Sequence, residues 1–261
     1  YSSITFGIFI ILNFFNIRLF NSLNLAMTLI SSGGFLPTNN LSNILINNSQ
    51  IIVTSLLMLT SFFSIFLSYN LLFTKKRNFN FLNEDIHLLF YFLILLFVFF
   101  AFFNFENNSS ELFLSLTSSV SNIGFSLNSS STRQSFIFLI LVIIGGSFFS
   151  TSSGIRFLKV YSLFKYSINE ILSYSKPKNI FINKHLFSKE SFKLNEIYKY
   201  FLSIIIFIIS LLFLTYLLTL SGIDFESSFK LSILTLMNTV NSSMYGMSDF
   251  NFSDLHFLIK Y

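Results

Sequence analysis

The sequence predicts an all-α integral membrane protein made of repeated units. Each unit is a transmembrane helix, a short re-entrant helix, a polar turn and a second transmembrane helix. Three observations predict this class. The 261 residues are 53% hydrophobic and only 10% charged, with a mean hydropathy of +0.70, whereas water-soluble domains carry about 25% charged residues. Apolar runs close to the ~20 residues needed to cross a bilayer recur along the chain. Between them, short apolar segments lead into turns rich in Ser, Asn and Gly, and this order repeats.

The elements follow in order. The first run, Ile4–Phe20, starts almost at Tyr1 and reads as a truncated span. The second is Ile51–Phe73, the third Ile86–Phe105 and the fifth Tyr198–Leu220. The fourth, Ser135–Phe149, has a continuation to Phe164 across a polar break. A sixth is expected to begin near Leu255, so the chain reads as the interior of a longer protein. Leu23–Ile30, Leu112–Val120 and Phe229–Val240 are apolar at helical spacing but too short to span.

Charge sets the orientation. Twelve of the sixteen Lys and Arg fall in Thr74–Asn78 and Arg156–Lys199, which places these connections in the cytoplasm. The connections on the other side hold only Arg133 and Lys230. The net charge of +5 is therefore a topology signal, and nucleic acid is not expected as a partner. There is no Cys, which excludes disulfides and thiolate chemistry. His87, His185 and His256 are scattered without ligand spacing, so no resident metal is expected. A membrane-embedded enzyme would need clustered His, Asp or Glu, or a nucleophile with its base, and the spans offer neither. No enzymatic activity and no cofactor are expected.

The turns carry the chemistry. "AMTLISSGGF" (Ala26–Phe35) aligns without gaps on "LTSSVSNIGF" (Leu116–Phe125), and both end in Gly-Phe, 90 residues apart. A third copy, "LMNTVNSSMY" (Leu236–Tyr245), keeps the polar pattern and puts Met244 at the glycine position. At membrane depth an unpaired backbone N–H or C=O costs several kcal/mol, so irregular backbone must line protein or water. Glycine adopts conformations closed to other residues and can aim successive carbonyl oxygens at one point. Rings of such carbonyls replace a cation's hydration shell. The short helix before each turn points its negative dipole end the same way. Taken singly, Gly34 and Gly124 would be tight interhelical turns; their repetition favours a cation filter.

These residues carry a resemblance. The unit of membrane helix, pore helix, Gly-Phe turn and membrane helix resembles the Trk/Ktr/HKT superfamily of potassium transporters, the bacterial TrkH type above all. "AMTLISSGGF" resembles that family's second filter turn and "SSVSNIGFS" its third. "IIGGSFFSTSSGIRFLKVYSLFK" (Ile143–Lys165) is similar to its interrupted gate helix. The resemblance covers essentially the whole chain. It implies a second pore unit over 1–78 that lacks its start and a third unit with the gate over 79–166. A basic cytoplasmic connection over 167–196 and a fourth unit over 197–261 without its last helix follow. It also implies potassium uptake across the bacterial cytoplasmic membrane, in a homodimer with a cytoplasmic nucleotide-binding ring subunit of TrkA type.

The filter residues it implies are Ser32, Gly33, Gly34 and Phe35, then Asn122, Ile123, Gly124 and Phe125, then Ser242, Ser243 and Met244. The gate residues are Gly145, Gly146, Ser150, Thr151, Gly154 and Arg156. Several alternatives stay open. Met244 is either core packing or an altered filter quadrant. Gly145, Gly146 and Gly154 are either gate or helix-packing residues, and Arg156 is either a gate charge or a positive-inside anchor. Asn122, Asn238 and Asn241 line a vestibule or cap helices. Glu106, Glu111, Asp224 and Glu226 draw cations to the mouth or are solvated loop charges. Beside selective potassium uptake stand a less selective sodium and potassium pathway and a non-conducting membrane scaffold.

Overall fold

A computed structural model describes residues 1–38, 40–64, 79–103, 109–127, 132–175, 194–240 and 243–247. The short segments become helices that start earlier than their apolar pattern implied, and the span expected near Leu255 lies outside the described residues. In the first unit, α1 (Ser2–Phe14) and α2 (Leu19–Ser31) are separate. The expected span Ile4–Phe20 is therefore interrupted. Asn16 takes a left-handed φ of 61° and the Ile17 N–H bonds back to the Leu12 carbonyl. Asn tolerates that conformation better than most residues, so it stops a helix without Gly or Pro.

The chain then runs into α3 (Asn48–Phe62). Gln50 fixes its start: Oε1 accepts from the backbone N–H of Ile46 at 2.9 Å and of Asn47 at 3.2 Å, and Nε2 donates to the Phe15 carbonyl. One buried amide thus caps α3 and ties it to the end of α1. The rest of the expected span to Phe73 lies outside the described residues.

The second unit has α4 (Phe79–Phe103), α5 (Ser109–Val120) and α6 (Thr132–Ile143). After α6 the chain leaves the helix, forms a short β1 (Ile144–Gly145), loops, returns through β2 (Ile155–Arg156) and enters α7 (Phe157–Ser175). The strands pair in parallel, Ile144 with Ile155 and Gly145 with Arg156. The last unit holds α8 (Leu194–Leu220) and α9 (Phe225–Leu236), followed by a 3₁₀ turn at Ser243–Tyr245.

Lengths sort these helices. At 1.5 Å per residue, α2, α5 and α9 are about 18–20 Å long, well short of the ~30 Å hydrocarbon core. Among the described residues, two windows are long and apolar enough to cross it, Glu84–Phe102 in α4 and Asn195–Leu220 in α8. Only 22% and 11% of these windows are buried, so their apolar faces point outward as lipid-facing helices do, not inward as in a soluble core.

The inner contacts are small and hydroxylated. α3 packs on α5, α6 on α9, and α8 on α9. Thr54, Ser55, Thr117 and Ser232 are buried, and each hydroxyl donates to a carbonyl three or four residues back. Helices with such faces approach closely in a membrane. One cluster gathers Leu12, Leu25, Leu29, Met58, Leu114 and Ile123. The other gathers Phe62, Leu88, Phe138, Leu141, Met237 and Tyr245. Each includes residues from more than one unit, so the units form one body.

Candidate functional site

The short helices α2, α5 and α9 end the same way. The terminal residues Ser32, Asn122 and Asn238 have left-handed φ values of 52°, 60° and 49°. The following N–H bonds five residues back in each: Gly33 to Thr28 at 3.1 Å, Ile123 to Ser118 at 3.0 Å, Thr239 to Leu234 at 2.9 Å. This is the Schellman helix end. It leaves the next residues in an irregular, inward-facing turn.

Gly34 and Gly124 sit two residues past that end, with φ of 68° and 87°. A Cβ on Gly34 would run into the Ile123 carbonyl oxygen, and one on Gly124 into the Val240 carbonyl oxygen. Two requirements therefore fix glycine here, the left-handed backbone and the neighbouring turn's carbonyl. The three turns meet through those carbonyls. Phe35 is exposed and its N–H bonds to Thr28 Oγ1, whereas Phe125 is buried in the first core cluster. Ser126 and Ser243 join the second and third turns through their hydroxyls at 3.1 Å.

The third copy needs a correction. The alignment that puts Met244 at the glycine position is out of register. Counted from the helix end, Asn238 matches Asn122 and the glycine position falls on Val240. Counted by neighbour contacts, the Val240 carbonyl faces Gly124 as the Ile123 carbonyl faces Gly34, so Val240 corresponds to Ile123. Both counts exclude Met244. Its side chain is fully buried in the core, and its sulfur accepts from Ser119 Oγ at 3.7 Å. Ser242 and Asn241 lie outside the described residues, as do Glu106, His185 and His256.

Asn122 has a definite role. Its side chain is fully buried and Nδ2 donates to the Val142 carbonyl at 3.1 Å, pinning the second turn to the last turn of α6. Asn238 is exposed and ends α9 through its backbone.

The expected gate residues all lie in or beside the loop between β1 and β2. That loop packs on the end of α3. Ser147 N–H donates to the Phe62 carbonyl and Ser152 N–H to the Ser61 carbonyl, each at 3.1 Å. Gly146 lies flush against the Phe62 carbonyl oxygen, with no room for a Cβ. Ser150 Oγ and Ser152 Oγ are 2.9 Å apart, and Ser152 Oγ accepts from the Gly146 N–H. Thr151 reaches towards the Ser61 carbonyl at 3.5 Å.

Arg156 folds back into this loop. Its Nη1 lies within 2.8–3.3 Å of the Ser147, Ser150 and Ser152 carbonyls and of Ser150 Oγ. A guanidinium thus fills a cage of loop oxygens, which a simple membrane-surface anchor would not do. Glu84 and Asp85, which the sequence reading left aside, complete the arrangement. Both are buried at the start of α4. Glu84 Oε1 accepts from Phe148 N–H and Asp85 Oδ1 from Ser64 N–H, each at 3.0 Å. Two acidic residues ahead of a long apolar run were the available signal, because a carboxylate at a membrane boundary is costly unless it has partners.

A pocket of about 220 Å³ is lined by Gly154, Ile155, Lys159, Ser203, Phe207, Leu236 and Met237. Gly154 and Ile155 come from the gate-like loop, and Leu236 and Met237 from the carbonyl end of α9.

Short helices that end alike, together with two long apolar helices and an interrupted one, make this an all-α membrane protein. The particular fold is that of TrkH. The crystal structure of the potassium transporter TrkH from Vibrio parahaemolyticus superposes with a TM-score of 0.77 over 98% of this chain, at 15% sequence identity. The chain spans 56% of that structure's length. No protein-family model matches the chain, and no curated protein does.

Proposed function

We propose that this chain is part of a transporter that takes potassium into the cell across the bacterial cytoplasmic membrane. The observation that carries the reading is the pair of equivalent left-handed glycines, Gly34 and Gly124, each set against a carbonyl oxygen of the next turn. Converging carbonyls suit a dehydrated monovalent cation. The carbonyl ends of α2, α5 and α9 add negative potential at the same place. The likeness of the fold to a potassium transporter supports the same reading. The loop around Arg156 is the proposed gate, and the cytoplasmic face is the proposed seat of a nucleotide-binding ring subunit of TrkA type on a homodimer.

The third turn favours a second reading. Its sequence from Asn238 to Tyr245 holds no glycine, so its quadrant coordinates cations differently, and passage of both sodium and potassium follows more readily than strict selectivity.

The test is potassium uptake by the full-length parent protein in a bacterium lacking its own potassium transporters, with Gly124→Ser alongside. Rescue of growth at low potassium by the parent, lost in Gly124→Ser, is the expected result. A parent that reaches the membrane and carries neither potassium nor sodium sinks the proposal in favour of a scaffold.

A further inference from the structure

The third turn differs from the others in where it puts its side chain. Ile123, whose carbonyl faces Gly34, is fully buried and belongs to the first core cluster. Val240, whose carbonyl faces Gly124 in the same manner, is only partly buried and belongs to neither cluster. Its side chain goes to Gly34 instead. Val240 Cγ2 and Cβ lie 2.6 Å and 2.9 Å from the point a Cβ on Gly34 would occupy. Val240 therefore stands between the two glycines, its backbone against Gly124 and its isopropyl group against Gly34. The backbone of Val240 is outside the left-handed region that both glycines adopt.

We propose that the Val240 side chain is a steric plug at the meeting point of the three turns, and that it holds cation flux down. The inference rests on reading these turns as a cation path. An apolar branched group at that point offers a cation no oxygen and occupies room that carbonyls would otherwise face. Removing it leaves the backbone carbonyl of residue 240 in place. Shortening Val240 should therefore raise flux, whereas a residue that only filled the core would give a weaker, less stable protein and no added flux.

The experiment uses the purified full-length parent protein in liposomes, with rubidium and sodium influx read separately. Val240→Ala, Val240→Gly and Gly124→Ser are compared with the parent, and each variant's melting temperature in detergent is recorded. Val240→Ala serves where Val240→Gly fails to fold. The expected result is at least a threefold rise in rubidium influx for Val240→Ala, a larger rise for Val240→Gly, and a loss in Gly124→Ser. Influx within a factor of two of the parent for the folded Val240 variants, with Gly124→Ser still defective, overturns the plug and leaves the cation path standing. Influx that is absent from every protein, or untouched by Gly124→Ser, overturns the cation path and the plug with it.

Discussion

Gly124 and Gly222 share the same φ of 87° but not the same surroundings. A Cβ at Gly222 meets nothing within 4 Å, while one at Gly124 meets the Val240 carbonyl. Gly222→Ala should therefore cost only the left-handed backbone, roughly 1–2 kcal/mol, and keep uptake. Gly124→Ala carries the same cost plus a displaced turn, and uptake should fall more than tenfold. Uptake assays on the two variants, with melting temperatures, separate strain from function. Asn122→Ala should lower stability by about 1–2 kcal/mol, because the Val142 carbonyl loses its donor and a left-handed position loses a tolerant residue. Chemical denaturation in detergent reads that loss. The first two turns were legible because Gly-Phe recurs in both. The third was misplaced by matching residue types, since what ends α9 is the φ of Asn238, and neither Met237-Asn238 nor Thr239-Val240 resembles Gly-Phe.

At the scale of elements, the interrupted helix is held by a few polar contacts. Glu84→Gln keeps an acceptor for the Phe148 N–H, whereas Glu84→Ala leaves that N–H without one. The alanine variant is expected to lose about 1–3 kcal/mol and the glutamine variant less. A melting series in detergent that ranks the two alike would argue against the contact. Arg156→Ala should loosen the loop similarly, with Arg156→Lys intermediate because an ammonium lacks the planar fork. The break itself was visible in sequence as Gly-Gly followed by a serine-rich run. Its closure was not, because Arg156 reaches back to oxygens from Ser147 to Ser152 and the loop is braced by residues of another helix, Ser61 and Phe62. The starts of α2 and α9 were also hidden, since Leu19 and Phe20 read as the end of the first span and Phe225 as an ordinary apolar residue.

For the whole molecule, composition decided most of the outcome. An apolar, cysteine-free chain with clustered basic residues leaves membrane helices as the way to satisfy every backbone group. α8 shows the consequence: Leu212 and Phe213 are 58% and 61% exposed in a span that faces lipid. Leu212→Arg should cost about 2.5–3.5 kcal/mol of insertion and reduce membrane-fraction yield. The same change at Tyr174, which is 85% exposed near the end of α7, should be tolerated. Membrane fractionation of the two variants checks both outcomes.

The parallel pairing of Ile144 with Ile155 has a further consequence. The backbone leaves at Gly145 and returns at Ile155 beside that point, heading the same way, so the residues between form a closed excursion. Such an excursion can lengthen, shorten or change shape without moving its two ends apart. An evolving lineage can therefore rewrite the loop residue by residue while Ile144 and Ile155 stay paired.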